Sequence, residues 1–370
     1  MINFENRLIS LKNRRQGTAE RVRLEKSNGL SYYDFRPTER HENLNESAAI
    51  KYVIGSMAAV SQDSTKISID EGERVATTLK EMLKTAGIST EIRMQGSVAL
   101  NIHIEGYSDV DMLILISETF TVQTPELPRT YYIDSSDKRS MVDVVKELRL
   151  HSEEMLTSRY HAAKVDISGA KSISLSEGSL KRNVDIVPSC WHNTHDYQGT
   201  GLEHFRAVKI YDKKNHKLIE NKPFLHIKKV NDRDAKYGGN LKKVTRLMKN
   251  IVADMPEYKK TKAKKLSSYD ITAIAYSMNE SLQCSQYLPL ALLENLRSYL
   301  LIISFLESER NSLLVPDGSR KIFNDEKKVE ALLILHREVS DLAEAVQKAI
   351  TPQTTEYDGN VLKNRQIVFF

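Results

Sequence analysis

Two aspartates one residue apart, Asp109 and Asp111, lead directly into the apolar run Met112 to Ile116. Strand side chains alternate between faces, so the two carboxylates of such a segment project together while Val110 and Met112 turn into a core. Adjacent carboxylates on one face repel each other unless a cation neutralises them, and hard oxygen ligands suit Mg²⁺ or Mn²⁺. The pair therefore demands a sheet with one buried face and a charged edge above it, the geometry of a metal site.

Two further segments complete the pattern. Gln95-Gly96-Ser97 stands eleven residues before Asp109. Its glycine lets backbone approach a phosphate, and Ser97 adds a hydroxyl and an amide donor for the same anion. Asn183-Val184-Asp185-Ile186-Val187-Pro188 reads as a second strand, with Val184 and Ile186 inward, Asp185 outward and Pro188 as its stop. Asp185 supplies the third carboxylate that two-metal phosphoryl transfer needs, and it is positioned to accept the proton of an attacking hydroxyl. Taken singly, each Asp reads as an ordinary solvated carboxylate; the combination points to Asp109, Asp111 and Asp185 as catalytic metal ligands for two ions.

Around these segments the first half of the chain reads as mixed α/β. Helices are expected over residues 47–60 and 69–85, the second capped by Ser68 with Glu71 in the capping-box position and ended by Gly87. Short β-rich runs cover residues 90–95, 109–116, 129–133 and 183–187, with a helix over 141–160 and further strands at 163–167, 172–175 and 207–211. The first forty-odd residues are basic and polar without a clear period. From Pro223 onward the pattern turns helical, and Val244, Leu247, Met248, Ile251, Val252 and Met255 fall on one stripe. The expected class is α+β: a mixed-sheet core with N-terminal helices (1–222), a helical lobe (223–370), and a site in the cleft between them.

Composition excludes several classes. With 40% hydrophobic and 28% charged residues among 370, the chain can bury one large core or two moderate ones. No apolar segment has the length of a signal peptide core or a bilayer span, which leads to a cytoplasmic, non-membrane expectation. Cys190 and Cys284 cannot form a disulfide framework and are expected to be buried. Residues 228–265 carry thirteen Lys or Arg against four acids, a charge that favours polyanions or simply solvates helix faces.

These residues resemble the nucleotidyltransferase superfamily of polymerase β, poly(A) polymerase and the oligoadenylate synthetases, and above all the bacterial cGAS/DncV-like nucleotidyltransferases of antiphage systems. The resemblance runs from about residue 47 to 323, through Gly96-Ser97, Asp109-Val110-Asp111, residues 183–188, residues 241–254 and Leu266-Ser267-Ser268-Tyr269. It implies a polymerase β-like core and a role for Lys249 and Ser268 on the donor triphosphate, beside Gln95, Gly96 and Ser97. It further implies that Tyr269 stacks on a base, and that nucleoside triphosphates are joined into a cyclic di- or trinucleotide messenger with release of pyrophosphate. Without the resemblance, Lys249 reads as a solvated helix lysine and Tyr269 as a core aromatic.

Two departures qualify it. Cys190, His192 and His195 offer only a partial ligand set, so no structural zinc and no DNA sensing of the animal type are expected. The chain ends Ile367-Val368-Phe369-Phe370 rather than in the small residue that some relatives ligate to other proteins; the apolar end suits packing on the protein or on a regulatory protein partner. The competing readings are a nucleotidyltransferase that extends RNA or modifies a protein, for which nucleic acid is not required but not excluded, and a non-catalytic nucleotide-binding module. Base choice falls to side chains lining the cleft, among which Tyr107-Ser108 and Tyr237-Gly238-Gly239-Asn240 are the candidates for acceptor selection.

Overall fold

A computed structural model describes residues 2–17, 38–128 and 130–368. The first half comprises α1 (Phe4–Arg15), α2 (Ala48–Met57), α3 (Gln62–Thr85), β1 (Thr90–Gln95), α4 (Gly96–Ala99), β2 (Val110–Val122), α5 (Met141–Arg159), β3 (Lys164–Asp166), β4 (Ile173–Ser176), β5 (Val184–Asn193), α6 (His195–Thr200), β6 (Ala207–Asp212) and β7 (Lys217–Asn221). The second comprises α7 (Pro223–Lys236), α8 (Asn240–Ala253), α9 (Glu257–Ala263), α10 (Ser268–Ser277), α11 (Pro289–Phe305), α12 (Glu307–Ser312), α13 (Glu326–Ile350) and α14 (Gly359–Asn364). The α+β expectation is met: a mixed sheet with helices joins a helical lobe. No helix among the described residues is long and apolar enough to cross a membrane.

The sheet runs β1-β2-β5-β4-β3, with β6 on the far half of β5 and β7 outside β6. Among the described residues only β2 and β5 pair in parallel, and they form its centre. Val110, Met112, Ile114 and Ile116 of β2 join Val184 and Ile186 of β5 beneath Val75, Leu79 and Leu83 of α3 and Val144 and Leu148 of α5. Leu113, Leu115 and Val187 face the other way, against Trp191, Val208 and Phe224. Period-two alternation therefore puts Asp109, Asp111 and Asp185 on the face away from α3 and α5, toward the helical lobe.

The lobe is organised on α8, whose Leu241, Val244, Leu247, Met248 and Ile251 are fully buried. Its core also takes in Phe4 and Leu11 of α1, Ile50, Tyr52 and Val53 of α2, and Leu100 and Ile102 after α4. The N-terminal helices, grouped by sequence with the sheet, thus share their core with the second half.

Several local expectations are corrected. β5 does not stop at Pro188 but continues to Asn193. The proline is tolerated because the strand changes partners there, β4 ending opposite Ile186 and β6 beginning opposite Ser189. Ser68 is not a cap: α3 starts seven residues earlier, on Ser61, whose hydroxyl accepts from the Ser64 amide. Ser68 instead takes a bond from Arg182, while Glu71 pairs with Arg74. No strand forms at 130–133, where Tyr131 and Ile133 are 97% and 94% exposed, so β-type composition found no core to cover; Arg129 lies outside the described residues. Helix α1 and strand β7 have no clear signal in the sequence, and Cys284 is half-buried rather than buried.

Candidate active site

The three carboxylates converge where the parallel centre of the sheet begins. Asp111 and Asp185 are direct register partners on β2 and β5, while Gln95 pairs with Asp111 from the other side. Asp109, just before β2, accepts a bond from the Asn183 side-chain amide at 3.1 Å. Asp111 is half-buried; burial pushes its carboxyl up to about 7, with the charges of Asp185 and then Asp109 adding to the rise and Lys249 opposing it. Burial also raises Asp185, against which the Ser174 hydroxyl donates to Oδ1 at 2.5 Å. Ser174 is its register partner on β4.

Gly96 serves Asp111 directly. It sits at φ +76°, and a Cβ there would lie 2.1 Å from Asp111 Oδ2. Only glycine allows both the left-handed backbone and the close carboxylate.

Opposite the sheet stands α8. Lys249 is 9% exposed, and burial brings its ammonium down to about 7 although Asp111 supports the charge. It donates to the Ile102 carbonyl at 3.0 Å and to Ser108 Oγ at 3.4 Å. Ser268 opens α10 one residue after the true cap, Ser267, which forms a capping box with Asp270. Ser268 is therefore free of capping duty and exposed.

A cleft of about 260 Å³ connects these groups, with Ser97, Asp109, Asp111, Asp185, Lys249 and Ser268 in its wall together with Tyr107, Ser108 and Lys264. Gln95, Gly96 and Tyr269 stand outside that wall. The Tyr269 ring stacks on His226 at 3.8 Å, its hydroxyl donates to Asp317, and the Arg320 guanidinium lies 5.7 Å from its centroid. Tyr269 thus makes these contacts within its own lobe.

Residues 228–347 match the profile of the cGAS/DncV-like nucleotidyltransferase C-terminal helical domain. Along 371 aligned residues, 96% of each chain, the sequence is 34% identical to the cyclic dinucleotide synthase CdnE of Yersinia aleksiciae. The chain belongs to the cGAS/DncV-like nucleotidyltransferases. It is also 31% identical to a c-di-GMP synthase of Capnocytophaga granulosa, over 78% of this chain and 85% of that one. Among solved structures, the STING-associated CdnE c-di-GMP synthase from Capnocytophaga granulosa superposes with a TM-score of 0.68 at 27% identity, covering 94% of this chain and 99% of that one.

In this nucleotidyltransferase the donor set suits a divalent cation. Three carboxylates, of which Asp111 and Asp185 are half-buried and raised by burial and by the charge of neighbouring aspartates, are stabilised by positive charge placed between them. Among the described residues no three His, Cys, Asp or Glu side chains, these three included, stand close enough together to hold an ion without side-chain movement. Asp109, Asp111 and Asp185 are the residues that would hold the cation.

Sequence reasoning missed Ser174 and Lys264. The first had a signal in the alternation Ser172-Ile173-Ser174, but only the β4–β5 register shows which carboxylate it meets. The second was one of thirteen cations in a basic stretch, and nothing in the sequence singles it out.

Proposed function

We propose that this nucleotidyltransferase condenses nucleoside triphosphates into a cyclic oligonucleotide messenger of antiphage defence, and that the ring is a dinucleotide. The carrying observation is the pairing of Asp111 with Asp185 across the parallel strands, with Asp109 beside them in one cleft. Relatives named cyclic dinucleotide synthase and c-di-GMP synthase support the ring size.

Each round forms a bond between a ribose hydroxyl oxygen and an α-phosphorus, breaks the bond from that phosphorus to pyrophosphate, and releases the hydroxyl proton. Two divalent ions, Mg²⁺ or Mn²⁺, when bound supply activation of the attacking hydroxyl and neutralisation of the triphosphate. Asp185 receives the proton, its carboxylate held in place by hydrogen bonds from Ser174 and Ser172. Ser97 and Ser268 offer hydroxyl donors to phosphate oxygens from opposite walls. Gln95 and Gly96 act from behind the wall, by closing β1 opposite Asp111 and by making room for its carboxylate. Tyr269 contributes to base binding through the firmness of the stack it forms with His226.

The test incubates purified protein with four labelled ribonucleoside triphosphates and Mg²⁺ or Mn²⁺, followed by phosphatase and mass spectrometry. Phosphatase-resistant species of closed-ring mass are expected, and they name the bases. Linear products alone would put RNA extension ahead. Asp109→Asn with Asp111→Asn should abolish turnover and leave the fold intact; a folded double variant with unchanged turnover would sink the assignment.

A further inference from the structure

Two of the three carboxylates are placed by the sheet itself, since Asp111 and Asp185 are register partners on β2 and β5. Asp109 is not. The ladder begins at Val110, and Asp109 closes the loop that leaves α4 and runs through Ile104-Glu105-Gly106-Tyr107-Ser108. Its distance from Asp185 is therefore left to the side chains that hold this loop.

Glu105 and Arg182 are central among them. The Glu105 carboxylate is buried and accepts from Arg182 Nη2 at 2.8 Å and from Ser64 Oγ at 2.6 Å. Arg182 precedes Asn183, the residue that bonds Asp109, and enters β5 three residues before Asp185. Its Nη2 also donates to Ser64 Oγ at 2.7 Å and its Nε to Ser68 Oγ at 3.1 Å, both hydroxyls on α3. His103 adds a bond with Thr65 of the same helix at 3.2 Å. One guanidinium thus joins the loop ending in Asp109, the entry to the strand carrying Asp185, and the helix packed against both strands.

Neither Glu105 nor Arg182 is in the cleft wall, so any part they take in the chemistry passes through the loop. The pair is enclosed, with side chains 4% and 10% exposed. A buried ion pair adds little stability over apolar packing of the same volume, whereas a planar fork of donors does fix geometry. We infer that the Glu105–Arg182 pair, bridged by Ser64, is a positioning clamp that sets the reach from Asp109 to Asp185. The inference rests on the proposed two-metal reaction and adds to it residues that touch neither metal nor nucleotide.

The test compares Glu105→Gln, Arg182→Gln and their double variant with Glu153→Gln, which breaks another buried pair, with Arg149 inside α5. Mn²⁺ binding is followed by electron paramagnetic resonance, its signal assigned by loss in the Asp109→Asn, Asp111→Asn double variant. Turnover of triphosphates and thermal melts are measured beside it. Each clamp variant should weaken Mn²⁺ binding and lower kcat about 10–100-fold, the effect of removing support behind a metal ligand, while KM for triphosphate stays within about threefold. The double variant should lose no more than the worse single one, because both side chains act through one contact. Glu153→Gln should lower the melting temperature and leave Mn²⁺ binding and kcat at wild-type values. Wild-type Mn²⁺ affinity and kcat in either clamp variant, additive losses in the double variant, or the same losses in Glu153→Gln overturn the inference. Should the glutamine variants fail to fold, Glu105→Asp keeps both charges and draws the carboxylate back by one methylene. It should show the same joint loss at about tenfold, and wild-type values there are equally fatal. Wild-type protein that binds Mn²⁺ but joins no triphosphates removes the proposed reaction, and the Mn²⁺ comparison still decides the clamp; wild-type protein that binds no Mn²⁺ removes both.

Discussion

Asp111 shows why the candidate site was the most legible part of the chain. Its spacing from Asp109 and the apolar run behind it assign its face by strand alternation alone. What sequence could not show is its environment: half-buried, opposite Asp185 and against Gly96. Because its carboxyl titrates near 7 instead of 3.8, folding is unpenalised below about 3.8, increasingly opposed up to about 7, and fully opposed above. In metal-free protein, Asp111→Asn should therefore raise stability at pH 8 by on the order of 1 kcal/mol, with the gain vanishing toward pH 4. Thermal melts in a chelator check this, and a gain of equal size at both pH values would contradict it. The sequence alone makes Gly96 a point of phosphate approach, but its closest constraint is Asp111 Oδ2. Gly96→Ala should displace that carboxylate by an ångström or so and cost about 100-fold in kcat. The loss of stability read from thermal melts should be no more than the strain of one left-handed alanine, about 1–3 kcal/mol.

Elements were legible where one periodicity dominated, as in α8 and β2, and illegible where long-range contacts decide. Pro188 lies inside β5 only because the sheet exchanges neighbours at that residue, and no local rule encodes an exchange of neighbours. Helix α1 was hidden because its apolar positions are few; charge fixes it instead. Arg14 donates to both oxygens of Asp254 and to Asn250, while Ser10 and Tyr52 also bond that aspartate. Asp254 caps α8, so this network ties the N-terminal helix to the element carrying Lys249. The Asp254 side chain is 1% exposed, and removing its cationic partner leaves a buried charge uncompensated. Arg14→Ala should cost about 3 kcal/mol, read as a lower denaturant midpoint, whereas Lys66→Ala, which breaks an exposed pair with Asp70, should cost well under about 1 kcal/mol.

At the scale of the whole molecule, the chain order of its parts and the division of its core do not coincide. Composition places a boundary at Lys222-Pro223, where strands give way to helices, and α7 does begin at Pro223. The large apolar core nevertheless crosses that point, because α1 and α2 pack with α8, α11 and α13. Composition reveals where helix replaces strand, but not which early helices return to cover a later face, since Ile50, Val53 and Leu11 are as apolar as residues facing the sheet. A fragment of residues 223–370 would expose the surface of α8 that Tyr52 and Met57 now cover, and would leave Asp254 without Arg14. Expressed alone it should aggregate or melt without a cooperative transition. Supplying residues 1–222 in trans should restore cooperativity, because the missing helices come with that piece. An independent, cooperative melt of the isolated fragment would mean that the two halves are separate folding units, and that the cleft carrying Asp109, Asp111 and Asp185 is a contact between finished domains rather than the seam of one core.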